Sequence, residues 1–86
     1  MAFQILRNRK PTGLHTLDEL QAAIRAETED VALFAVETTN TLHWLFIGSP
    51  RRGVVTVTQI TDAGVTEQPH ADREAAIADL IAHITA

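Results

Sequence analysis

Four histidines are the residues of this chain best suited to acid–base or metal chemistry, because imidazole titrates near neutral pH and ligates transition metals. They are His15, His43, His70 and His83. A helical metal site commonly presents two histidines three or four residues apart, and no two of these have that spacing. We therefore expect His15, His70 and His83 to be solvated or capping side chains near helix ends, and we expect neither a bound metal ion nor another cofactor.

His43 differs from the other three because it lies inside an apolar run, beside the single tryptophan, Trp44. On a helix-covered face it would be a hydrogen-bonded core histidine. On an uncovered face it would line a pocket or an interface. A structural role is favoured, because neither a nucleophile nor a paired acid adjoins it in the sequence.

Other catalytic patterns are weak. Ser49 is the single serine, and it lacks the glycine context of a nucleophile elbow. The neighbouring carboxylates Asp18 and Glu19 suit the start of a helix, where negative charge is favourable. The four glycines are isolated and form no phosphate-binding loop. We therefore predict that the chain is not an enzyme.

Positive charge is concentrated in two short segments. If these segments meet in space, they form a patch that could bind phosphate, nucleic acid or an acidic protein surface. The alternative is that polar loops and edge strands carry charge that prevents edge pairing. The net charge of −4 disfavours non-specific binding to nucleic acid or anionic membrane. The two segments together contain five of the seven lysine and arginine residues of the chain, namely Arg7, Arg9, Lys10, Arg51 and Arg52.

Length and composition indicate one domain over residues 1–86, with a small core and a modest free energy of unfolding. The chain contains no cysteine, which excludes disulfides and thiolate chemistry. It has neither the long apolar core of a signal peptide nor the roughly 20 apolar residues of a membrane-spanning helix. The expected location is therefore the cytoplasm.

Two segments have helical character. Thr16 and Glu19 form a capping box, and the apolar residues that follow recur at helical spacing, which predicts a helix over residues 17–27. A second helix is predicted from residue 71 or 72 to about residue 83. Its apolar residues lie three, four and seven apart. These residues are Ile77, Leu80, Ile81 and Ile84.

Strands are predicted between and before these helices from apolar alternation, β-branched residues and turn signals. Pro11 and Gly13 instead predict a loop over residues 8–13. The order is β-α-β-β-β-(β)-α, which predicts an α+β two-layer sandwich, an antiparallel meander of four or five strands packed by two helices. The predicted strands cover residues 3–6, 31–37, 42–47, 54–60 and, as a short edge strand, 65–68.

The segment 42–47 is apolar on both faces of its predicted strand, because side chains of a strand alternate between the two faces. One face carries Leu42, Trp44 and Phe46, and the other carries His43, Leu45 and Ile47. Two helices can cover one face of a four- or five-stranded sheet, so one set must point outward unless the helices divide between the faces. We expect Trp44 and Phe46 to point outward.

An uncovered apolar face predicts association. The main hypothesis is a small non-enzymatic protein-interaction module or regulator, which forms a homodimer or binds another protein through a patch of roughly 400–600 Å². The alternative is an anion- or nucleic-acid-binding domain that uses the two basic segments, although nucleic acid is not an expected partner. The predicted interface residues are Trp44, Phe46, Leu42, Phe34 and Val36.

Overall fold

A computed structural model describes residues 2–48 and 54–86, which form one sheet and two helices. The six strands are antiparallel in the order β2-β1-β3-β4-β5-β6, so the predicted α+β class with an antiparallel sheet and two helices is confirmed. The elements are β1 (Phe3–Arg7), β2 (Lys10–His15), α1 (Leu17–Ala26), β3 (Ala32–Glu37), β4 (Leu42–Ile47), β5 (Val55–Thr61), β6 (Gly64–His70) and α2 (Arg73–Thr85).

Both helices begin at side-chain caps. Thr16 Oγ1 accepts a hydrogen bond from the Glu19 backbone N–H at 3.2 Å, and Glu19 Oε1 accepts one from the Thr16 N–H at 2.9 Å. This reciprocal pair is the predicted capping box. Asp72 caps α2 by accepting from the Ala75 N–H at 2.8 Å. The helices therefore start where the sequence supplies acceptors for their free N–H groups.

Strand β2 occupies most of the segment predicted to be a loop. Asn8 and Arg9 have φ angles of 53° and 70°, the left-handed conformation that a two-residue hairpin turn requires. The Asn8 side chain stabilises this turn, because its Oδ1 accepts from the Leu33 N–H at 2.9 Å. Pro11 is tolerated because β2 is an edge strand. For the same reason β6 continues through Pro69 instead of ending before it.

The core lies between one face of the sheet and both helices. From the sheet it includes Leu45 and Val57, which are fully buried, and from the helices Leu20, Ile24 and Leu80. The helices therefore cover the face that carries His43, Leu45 and Ile47. As predicted, Trp44 lies on the other face.

Candidate functional site

The sheet face opposite the helices, called the open face below, is a continuous surface across all six strands. Directly opposed residues of antiparallel strands lie on the same face, so the register defines crosswise rows of side chains. The middle row consists of Pro11, Leu6, Ala35, Trp44, Thr58 and Glu67. A second row consists of Leu33, Phe46, Thr56 and Pro69.

The third row reaches both edges of the sheet. It consists of Glu37, Leu42, Ile60 and Val65, and it continues through Gln4 to Leu14. Gln4 belongs to it because the next residue of β1, Ile5, is opposite Val36, which precedes Glu37.

Large apolar side chains are exposed at the margins of the open face. Leu14 is 68% exposed on edge strand β2, and Val65 is 62% exposed on edge strand β6. Val31, which directly precedes β3, is 60% exposed. Within the face, Trp44 and Phe46 are half-buried. The open face is therefore apolar from one edge of the sheet to the other.

Charge is almost absent from this surface. Among the described strand residues whose register places them on the open face, only Glu37 and Glu67 are charged. Glu37 ends β3, and Glu67 lies on edge strand β6. Thr56 and Thr58 lie between the apolar side chains and are themselves buried. A surface this poor in charge is typical of the centre of a protein interface.

Two of the predicted interface residues lie elsewhere, and that part of the prediction is wrong. Phe34 and Val36 are 3% and 1% exposed and belong to the core beneath the helices. Phe34 is opposite Leu45 and Val36 is opposite His43, so both share the helix-covered face. Open-face residues that sequence reasoning missed are Leu6, Leu14, Leu33, Ile60 and Val65.

The first basic segment does not offer three free cations. The Arg7 guanidinium donates two hydrogen bonds to the Glu27 carboxylate, from Nε to Oε1 at 2.5 Å and from Nη2 to Oε2 at 2.9 Å. The hydrogen bond from Arg7 lowers the pKa of Glu27 to about 2, against the opposing effect of burial. Arg9 and Lys10 are exposed near the β1–β2 turn. Arg51 and Arg52 lie outside the described residues, and so does Ser49.

Three of the histidines are paired with carboxylates. His70 Nε2 and His83 Nδ1 lie 2.8 Å and 3.0 Å from the two oxygens of Asp79, so one carboxylate joins β6 to α2. His15 contacts the Thr12 carbonyl oxygen at 2.9 Å and lies 3.5 Å from Glu19. These contacts, the carbonyl first, raise the pKa of His15. The four-residue spacing of Asp79 and His83 indicates their contact from the sequence alone. The contact between His70 and Asp79 depends on the packing of β6 against α2, which the sequence pattern does not indicate.

His43 is a core residue, 3% exposed, on the helix-covered face. Its Nε2 lies 3.1 Å from Thr38 Oγ1, whose single proton is donated to the Thr41 carbonyl oxygen. The tautomer with a proton on Nε2 satisfies both contacts of the Thr38 hydroxyl, and it leaves Nδ1 as an acceptor. Burial lowers the pKa of His43, and the charge of His83 acts in the same direction.

Gln59 is the cross-strand neighbour of His43. Its Nε2 and His43 Nδ1 are both buried, and neither has a hydrogen-bond partner among the described residues. An unpaired donor, Gln59 Nε2 on β5, is therefore the cross-strand neighbour of an unpaired acceptor, His43 Nδ1 on β4. The burial of both groups favours a neutral, structural imidazole.

A cavity of about 380 Å³ lies between α1 and the β1–β2 hairpin. Its apolar wall includes Ile5, Leu20 and Phe34, each of which is at most 4% exposed. Arg7 and His15 lie at the same cavity and are already paired with Glu27 and Glu19. The cavity thus combines buried apolar side chains with charged groups that are already paired.

Within residues 2–48 and 54–86, no group of three or more histidine or acidic side chains is arranged to hold a metal ion. In that same part of the chain, no helix has the length and apolar character needed to cross a bilayer. Comparison with protein family models, with curated proteins and with solved structures finds no match to this chain.

Proposed function

We propose that this chain is a small non-enzymatic protein-interaction module that binds a protein surface through its open face. The supporting observation is that both helices pack on one side of the sheet and leave an apolar face with two charged strand residues. Half-buried aromatic side chains occupy its centre, where binding energy is usually concentrated. Exposed leucine and valine side chains extend the face to both edges.

The size of the face is suited to this role. Adjacent strands are about 4.8 Å apart and a six-residue strand is about 20 Å long, so a six-stranded face measures roughly 500 Å². Apolar side chains make up most of this face, and extended exposed apolar surfaces on soluble proteins commonly mark interaction sites. The anion-binding alternative has less support, because Arg7 is committed to Glu27.

The size of the native complex in cell extract tests the proposal. The informative variant is the double substitution Leu14→Lys/Val65→Lys, because both side chains are more than half exposed and their loss should leave the fold intact. The matched control is Ala78→Lys/Ala82→Lys, which adds the same charge at exposed positions of α2.

We expect the wild-type chain and the α2 control to elute from gel filtration of the extract in a species larger than 9.4 kDa. The open-face variant should elute as a monomer. A wild-type chain that elutes as a monomer would overturn the proposal. So would a large species that persists in the open-face variant.

A further inference from the structure

We infer that the partner of the open face is a second copy of this chain, packed sheet against sheet around a two-fold axis that runs along the strands. This inference rests on the proposed function and names the partner of the same surface.

The area agrees with what a specific dimer needs. Two faces of roughly 500 Å² would bury about 1,000 Å² in total, the lower bound of specific protein interfaces. Each copy would contribute about a tenth of its 5358 Å² surface, a typical share for a small protein. A smaller partner surface would leave Leu14 or Val65 in water, because these two residues lie on opposite edge strands.

The edges favour stacking over edge-to-edge pairing of the sheets. Pro11 removes a backbone donor from β2, and the pairing of β2 with β1 is irregular between Gln4 and Leu6. Pro69 removes a donor from β6. Face-to-face packing needs no free backbone groups. It also suits two identical sheets, because sheets with the same twist pack with their strands aligned to within about 30°.

The position of Glu67 on edge strand β6 favours one orientation. An axis across the strands would place each strand over its own copy, so Glu67 in the middle row would face the partner's Glu67. An axis along the strands, between β3 and β4, places β2 over β6 of the other copy. Glu67 then faces the partner's Pro11, and Leu14 faces the partner's Val65. This second arrangement separates the two Glu67 side chains and brings the two exposed apolar edge side chains together. Glu37 then lies beside the partner's Glu37 across the axis, at the exposed end of β3 where solvent screens the two charges.

Sedimentation of the purified chain tests the identity of the partner. We expect a species of twice the 9.4 kDa chain mass at micromolar concentration. Leu14→Lys/Val65→Lys should weaken the dimer at least about 100-fold, because it buries four unpaired charges per dimer. Ala78→Lys/Ala82→Lys should leave the dimer unchanged.

A monomer at high micromolar concentration would overturn self-association. If the chain still forms a large species in cell extract, that result would leave the proposed function standing with a different partner. If the wild-type chain is monomeric in both measurements, both proposals are wrong.

Disulfide trapping tests the position of the two-fold axis. Because the chain contains no cysteine, only the introduced cysteines can form disulfides. Leu14→Cys and Val65→Cys chains are purified separately, mixed and mildly oxidised. The proposed axis predicts a mixed disulfide as the main product, and Ala78→Cys should give none. Preferential Leu14→Cys homodimers would overturn this axis.

Discussion

The contribution of the Arg7–Glu27 ion pair to stability tests whether the first basic segment has a structural role or binds a ligand. The informative change is Glu27→Gln, which keeps the size of the side chain and one acceptor oxygen but removes the charge. Glu27 also accepts hydrogen bonds from the backbone N–H groups of Thr28 and Glu29, and glutamine can still accept from them. The substitution therefore isolates the interaction with the guanidinium.

The expected magnitude follows from the pKa of Glu27, which is lowered from 4.5 to about 2. A difference of this size corresponds to roughly 3 kcal/mol of folding free energy at neutral pH. The Glu27 side chain is 6% exposed, but that of Arg7 is 41% exposed, and solvent screening weakens the interaction. We therefore expect Glu27→Gln to lower the free energy of unfolding by about 1–2 kcal/mol at pH 7.

The pH dependence has a definite sign. Because the pKa of Glu27 is lowered by folding, its stabilisation is complete above pH 4.5 and is lost as the pH falls toward 2. The assay is urea denaturation of both proteins at pH 7, 4 and 3. The difference between them should shrink with each step. Equal stability at pH 7, or a difference that is the same at pH 3, would refute the reasoning.

Arg25 and Glu74 provide the matched control. They form the same two-bond arrangement between α1 and α2, but their side chains are 50% and 65% exposed. Glu74→Gln should therefore change stability less than Glu27→Gln. The anion-binding alternative instead predicts that Arg7 in the first basic segment binds a ligand. Under it, inorganic phosphate would stabilise the wild-type chain, and Arg7→Met would abolish that effect.

Three further substitutions test the core and two glycine positions. Burial lowers the pKa of His43, so the wild-type chain should lose stability relative to His43→Gln as the pH falls below 6.5. The Tm of both proteins is measured between pH 8 and 5, and parallel pH profiles would contradict this prediction. Gly48→Ala should cost at least about 2 kcal/mol, because φ is 84° and a Cβ would overlap the Asp30 carbonyl oxygen. A Cβ at Gly64, where φ is 138°, would meet open space, so Gly64→Ala should lower the free energy of unfolding by only about 1 kcal/mol. Equal losses of stability for the two glycine variants in urea denaturation would contradict the packing argument.

Local signals in the sequence were sufficient for much of the fold. The capping box at Thr16 and the apolar spacing after it placed α1 to within one residue of its end. The β-branched run of β5 and the apolar run of β4 were equally direct. Strand β2 was missed because Pro11 and Gly13 mark turns in most contexts, and an edge strand tolerates both. Its edge position depends on pairing with β1, which no local pattern encodes.

The candidate site was only partly accessible from sequence for the same reason. Alternation within β4 grouped Trp44 with Phe46 correctly, because both residues lie on one strand. Assigning Phe34 and Val36 to that face required the register between β3 and β4. The register placed them opposite Leu45 and His43 instead. A one-residue offset moves every side chain of a strand to the other face, so strands cannot be combined into one surface without their register.

The emission of Trp44 tests most directly whether association buries the open face. It is the only tryptophan of the chain and lies in the middle row of that face, so its fluorescence reports on this surface alone. We predict that dilution of the purified chain from high micromolar to nanomolar concentration shifts the emission to longer wavelength and increases quenching by acrylamide. Leu14→Lys/Val65→Lys should show the diluted signal at every concentration. Emission and quenching of the wild-type chain that do not change with concentration would contradict the account.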